Sequence, residues 1–169
     1  MNWSTGDLPG IGGSYKLCPD DFFVEELPLY PCSGQGEHLY LQIEKRGLTT
    51  SEMLRQLAAS LKLPARDIGY AGLKDAQAVT RQWISVPASC EQQLVRLEQL
   101  PFKILATNRH ENKLRLGHLS GNRFRLRIHK PNPQAKQKAD LILQQLEKQG
   151  VPNRFGEQRY GLLSNSHHL

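Results

Sequence analysis

The stretch best equipped for chemistry is Gly69–Trp83, which reads Gly-Tyr-Ala-Gly-Leu-Lys-Asp-Ala-Gln-Ala-Val-Thr-Arg-Gln-Trp. Its acidic residue, Asp75, follows Lys74 in a polar break after Gly69 and Gly72. Glycine and aspartate favour turns for backbone reasons alone, so a simple turn is one reading. The other is a lone carboxylate held ionised in a cleft and supported by a nearby cation. Burial raises the pKa of such a group and a nearby cation lowers it, so a reactive carboxylate there needs a cationic partner. Lys74 is adjacent in sequence, but neighbouring side chains often point apart. Lys16 is the other candidate.

A second pattern is basic. Arg123, Arg125 and Arg127 recur at every second position, which in a strand places them on one face with His129. Lys113 and Arg115 extend that face if their segment forms a paired strand. Such a row is either a solvated edge that discourages strand aggregation or a track for phosphates. Phe124 alternates with Leu126 and Ile128, so core packing is its ordinary role. An aromatic near a carboxylate can also stack on a displaced base. Gln158 and Arg159 lie in a Gly-flanked segment, where they bind phosphate or base or hydrogen-bond the loop backbone.

These residues need elements to hold them. Residues 37–45 alternate, with Leu39, Leu41 and Ile43 on one side, and predict a half-buried strand. Thr49 and Glu52 have capping-box spacing, and Met53, Leu54, Leu57, Ala58 and Leu61 follow helical periodicity up to Pro64. Further strands are expected over 79–86, 104–109, 113–119 and 122–130, with Ser120-Gly121 as a turn. A short helix is expected over 91–100. Asn132 as N-cap and Pro133 at the first helical position open a second long helix. Ala139, Ile142, Leu143 and Leu146 line its buried side, and Gly150 stops it. Helices inserted among hairpin strands point to an α+β fold.

The chain of 169 residues suffices for one domain with a real core. Its 22 Lys and Arg against 16 Asp and Glu give a formal charge of +6, which suits a polyanionic partner. Three cysteines, Cys18, Cys32 and Cys90, are widely spaced and odd in number, which argues against a disulfide framework or zinc site and for a reducing cytoplasm. No metal is expected. No apolar run reaches membrane-spanning length, and the polar, Gly-rich residues 1–13 do not read as a leader.

Taken together, the segments resemble the TruD family of tRNA pseudouridine synthases from about Lys16 onward. The resemblance rests on several motifs in the family's order. They are Asp21-Phe22-x-Val24-x-Glu26, Gly36-Glu37-His38, Ala71-Gly72-Leu73-Lys74-Asp75 with Ala78-Val79-Thr80-Arg81-Gln82-Trp83, and Arg109-His110. Lys113-Leu114-Arg115-Leu116-Gly117, Gly121-Asn122-x-Phe124, Val151-Pro152-Asn153 and Phe155-Gly156-x-Gln158-Arg159-x-Gly161 complete them.

The resemblance implies a catalytic role for Asp75, supported by Lys16, Glu26, Asn122 and Phe124. Arg123, Arg125, Arg127, Gln158 and Arg159 would contact RNA. It implies isomerisation of uridine, at position 13 of tRNA, to pseudouridine without cofactor or metal; the alternative is an inert RNA-binding fragment. The implied fold is a ferredoxin-like mixed sheet with helices on one face, half of a catalytic domain. Residues 1–161 would be the N-terminal part of that domain. Residues 162–169 would begin the segment leading to an insertion domain absent here. tRNA is the expected partner, with no membrane, and a monomer is expected at full length. Tyr160, where relatives often carry Phe, and Ala76-Gln77 are mild departures. Family members are about twice as long, so the chain alone is expected to be weakly active or inactive.

Overall fold

The computed structural model describes residues 4–151. The chain divides into two compact units. Ser14–His129 forms the larger; the described residues of the two ends form the other.

In the larger unit β1 (Ser14–Tyr15) leads through a 3-10 turn at Pro19–Asp21 into β2 (Phe22–Pro28) and β3 (His38–Arg46). Helix α1 (Thr50–Leu61), β4 (Gly69–Tyr70) and β5 (Val79–Pro87) follow. A 3-10 run at Ala88–Leu97, β6 (Phe102–His110), β7 (Leu119–Leu126) and β8 (Ile128–His129) complete it. The main sheet has the order β6-β3-β5-β2-β7, with β4 also on β5, and β1 pairs with β8 separately. β2 and β5 run parallel while their other pairings are antiparallel, so the sheet is mixed, as the family resemblance implies.

Alternation along β3 drives the packing. Leu39, Leu41 and Ile43 are buried against Met53, Leu57 and Leu61 of α1 and Ile84 and Val86 of β5. Thr49 caps α1, its hydroxyl accepting the Glu52 amide at 3.0 Å. Pro64 does not end this helix. Lys62 does so, turning left-handed at φ 53° with its N–H directed to Ala58 and Ala59 carbonyls. Pro64 instead precedes the next 3-10 turn, Ala65–Asp67.

Three more expectations change. The segment after β5 is 3-10 over Ala88–Leu97, not a helix over 91–100. Residues 113–118 are irregular: the Leu114 amide donates to Ser85 Oγ at 3.0 Å, and Gly117 N–H to the Ala71 carbonyl at 2.8 Å. Lys113 and Arg115 therefore do not extend a strand face. Ser120-Gly121 lies inside β7 opposite the end of β2, where the register shifts between Leu27 and Pro28. Ser120, skipped in that register, is the extra residue of an irregularity in the strand, not part of a turn.

In the other unit α2 spans Ala135–Gln149. It starts later than the Asn-Pro signal implies, because the Asn132 carbonyl accepts the Ala135 amide at 2.9 Å in a preceding turn. Gly150 ends it at φ 77°, its N–H on the Leu146 carbonyl at 2.8 Å. Ala139, Ile142 and Leu146 are half-buried, but Leu143 is 58% exposed, against expectation. Gln145 Nε2 donates to the Ser4 carbonyl at 2.6 Å and to Asp7 Oδ1 at 3.1 Å.

Candidate active site

β2 runs beside β5 as far as Glu25↔Arg81, and β4 takes over that edge at Ile84 and Ser85. The Trp83 amide falls in the gap. Glu26 fills it: Oε1 accepts Trp83 N–H at 3.1 Å, replacing a ladder bond with a side chain. Its Oε2 lies 2.6 Å from Lys74 Nζ, and both side chains are buried. A buried ion pair is costly unless both charges find such partners. Lys74 is thus committed to Glu26, and the carboxylate of Asp75 is left for another cation.

The loop carrying Asp75 is pinned from three elements. The Lys74 amide donates to Thr50 Oγ1 at 2.9 Å, and Thr50 Oγ1 donates to Gln82 Oε1 at 3.0 Å. Gln82 Nε2 reaches the Gly72 carbonyl at 3.4 Å. From β3, the buried ammonium of Lys45 donates to the carbonyls of Leu48 at 2.6 Å and Asp75 at 2.9 Å. Burial pushes the Lys45 pKa down to about 8, the nearby Asp75 charge opposes this, and Lys74 adds to it.

With its backbone held, Asp75 directs Oδ2 toward Lys16 Nζ, 3.9 Å away, with the two side chains 41% and 30% exposed. Lys16 Nζ also sits 4.0 Å from the Phe22 ring centroid, a cation–π contact. Phe22 stacks on Phe124 with centroids 6.0 Å apart and planes 6° from parallel. Phe124 is 62% exposed, so it is not the core residue its alternation implies. Asn122 lies opposite Glu26 in the β2–β7 register. Strand alternation puts Phe22, Glu26, Asn122 and Phe124 on one face. The structure therefore gathers Asp75, Lys16, Glu26, Asn122 and Phe124 into one region.

The arginines are elsewhere. Arg123 Nη1 pairs with Glu25 Oε2 at 3.2 Å, and the Arg125 guanidinium lies 5.4 Å from the Phe23 ring centroid. Glu25 and Phe23 alternate with Glu26 and Phe22, so Arg123 and Arg125 occupy the opposite face from Phe124. Arg127 follows β7, its Nη1 3.9 Å from Asp21 Oδ1. Gln158 and Arg159, and the boundary expected at 161, lie outside the described residues.

Sequence reasoning gave no role to Lys45 or Thr50, and quoted Asp21 only as part of a motif. Lys45 had a readable signal, since it takes the next inward position after Leu39, Leu41 and Ile43. A lysine there must bring its charge to buried acceptors.

Fold and site define an α+β protein built on a mixed sheet, with a loop-borne carboxylate facing a lysine beside a stacked, partly exposed aromatic pair. The family model for tRNA pseudouridine synthase D (TruD) matches residues 1–169. A tRNA pseudouridine synthase D from Syntrophotalea carbinolica is 58% identical over 166 residues, 98% of this chain and 42% of the relative. One from Thermus thermophilus is 49% identical over 159 residues, 94% of this chain and 44% of the relative. The solved structure of a TruD protein from Methanosarcina mazei superposes with a TM-score of 0.81 at 30% identity, covering 95% of this chain and 38% of that one. The chain belongs to the TruD family and spans about two fifths of the length of the curated relatives it matches.

Proposed function

We propose that this chain carries the catalytic carboxylate of a tRNA uridine-to-pseudouridine isomerase, and that Asp75 is that group. The observation that carries the proposal is the pairing of Asp75 with Lys16 at 3.9 Å on a pinned loop, beside the stack of half-buried Phe22 on exposed Phe124. In the reaction the N1–C1′ bond of a uridine breaks, the uracil turns, and C5 bonds to C1′. The proton leaving C5 is balanced by one gained at N1. Asp75 acts either as nucleophile at the ribose or as base toward its 2′ proton. Lys16 compensates the carboxylate charge. A paired uridine must leave its stack to reach such a group, and Phe124 offers a face for the displaced base.

Glu26 and Asn122 support the site, and uridine 13 of tRNA is the proposed substrate. Arg123, Arg125 and Arg127 serve as phosphate contacts, with Gln158 and Arg159 as further RNA-binding residues. The proposed domain boundary keeps residues 1–161 in the catalytic domain, with 162–169 starting the segment beyond. A cytoplasmic monomer at full length completes the reading.

The alternative is an RNA-binding fragment without turnover. It draws support from the outer edge of β7, which has no strand partner among the described residues, and from the exposure of Phe124. An Asp75→Asn variant separates the two. Loss of pseudouridine formation with RNA binding retained supports the enzyme; binding without turnover in either form supports the fragment. Full turnover by the purified 169-residue chain would overturn the expectation that it is weakly active or inactive alone.

A further inference from the structure

We infer that Asp21 is a positioning residue whose buried carboxylate, with His129 against it, seats Lys16 opposite Asp75. The inference rests on the reading of Lys16 as the partner of Asp75.

Lys16 has a conformation that needs holding. Its φ is 55°, in the left-handed region that residues other than glycine rarely adopt. The chain is fixed on both sides of it. On the N-terminal side, β1 pairs with β8 in the register Ser14↔His129 and Tyr15↔Ile128. On the C-terminal side, the amides of Leu17 and Cys18 both donate to Asp21 Oδ2, at 3.1 and 3.2 Å. The other carboxylate oxygen, Oδ1, lies 2.8 Å from His129 Nε2 and 3.9 Å from Arg127 Nη1.

One side chain therefore ties the segment after Lys16 to the strand that pairs with the segment before it. The Asp21 backbone completes the knot: its N–H donates to the Cys18 carbonyl at 3.1 Å, and its carbonyl accepts the Arg127 amide at 2.8 Å. The Asp21 side chain is only 1% exposed, and a buried carboxylate is retained only where partners compensate it. Here His129 holds the Asp21 pKa below the usual carboxylate range, and the Cys18 and Leu17 amides reinforce this against burial. With both sides fixed, the Lys16 ammonium comes to rest over Phe22 and in reach of Asp75.

A purely structural aspartate would stabilise the unit without deciding where the ammonium of Lys16 goes. NMR on the 169-residue chain separates these roles. The Lys16 ε-methylene protons, bonded next to the ammonium that sits over the Phe22 ring, should carry an upfield ring-current shift, and the Leu17 and Cys18 amides should exchange slowly. In Asp21→Asn the upfield shift should collapse toward its random-coil position. Exchange at Leu17 and Cys18 should quicken by roughly tenfold, as expected for losing a hydrogen bond to a charged acceptor. The methyl shifts of Leu41 and Leu57 should stay put. Retention of the Lys16 shift overturns the inference, whether or not the amides lose protection. If Asp21→Asn fails to fold, His129→Gln is the milder variant. It should weaken the Lys16 shift while leaving the core methyls unchanged, and an unaltered Lys16 shift there also overturns the inference. No RNA and no turnover enter this measurement, so the clamp and the catalytic role of Asp75 fail independently.

Discussion

Asp75 works in this account through what surrounds it, and two lysines divide that labour. Lys74 is buried against Glu26, while Lys16 reaches the carboxylate itself. Sequence left both lysines open; the Trp83 amide, which lacks a ladder partner on that side, fixes Glu26 where a buried cation must answer it, and so draws Lys74 inward. Lys45 gives a residue-scale prediction. Its ordinary pKa of 10.5 falls to about 8 in the fold. Between those values the unfolded chain binds more protons, so this group makes stability rise with pH. Lys45→Met lacks that contribution. Thermal unfolding should therefore show the wild type gaining on Lys45→Met from pH 8 to pH 10, and a constant difference would contradict the assignment. Lys16→Met should weaken turnover more than RNA binding, since its charge faces Asp75; equal losses in rate and affinity would make it a phosphate contact instead.

Among the elements, β3 and α1 were the most legible, because both have an uninterrupted apolar period and α1 has a hydroxyl cap. Replacing that cap with Thr49→Ala should cost about 1 kcal/mol. Leu57→Ala, fully buried between α1 and the sheet, should cost about 2–5 kcal/mol. Urea denaturation reads both, and a larger loss at the cap than at the core would contradict this packing. The false strand at 113–119 shows where period fails. Leu114 is buried, but its amide is satisfied by the Ser85 side chain, so alternation there reflects a loop packed on the sheet. The same loop crowds β4. A Cβ on Gly69 would meet the Leu114 carbonyl oxygen and Ser85 Oγ, so Gly69→Ala must displace that loop. The site motifs were legible chiefly as a family resemblance, because the contacts joining Lys16, Phe22 and Phe124 depend on strand pairings that no local pattern encodes.

For the whole molecule, the arrangement of charge matters more than its sum. The formal charge of +6 made a polyanion partner plausible, but the alternating arginines face away from Phe124. If Arg123 and Arg125 contact phosphates, replacing both with Glu should weaken tRNA binding across sequences. It should also flatten the dependence of log affinity on log salt by about one per lost contact. An unchanged salt slope would make them a solvated face held by Glu25 and Phe23. The role of Asp75 is read out by a single-turnover assay with the chain in excess over tRNA, comparing wild type with Asp75→Asn. Wild type should form pseudouridine slowly at uridine 13, Asp75→Asn should form none, and the two should bind tRNA equally. Measurable pseudouridine formation at the same rate by the two proteins would contradict the catalytic role of Asp75.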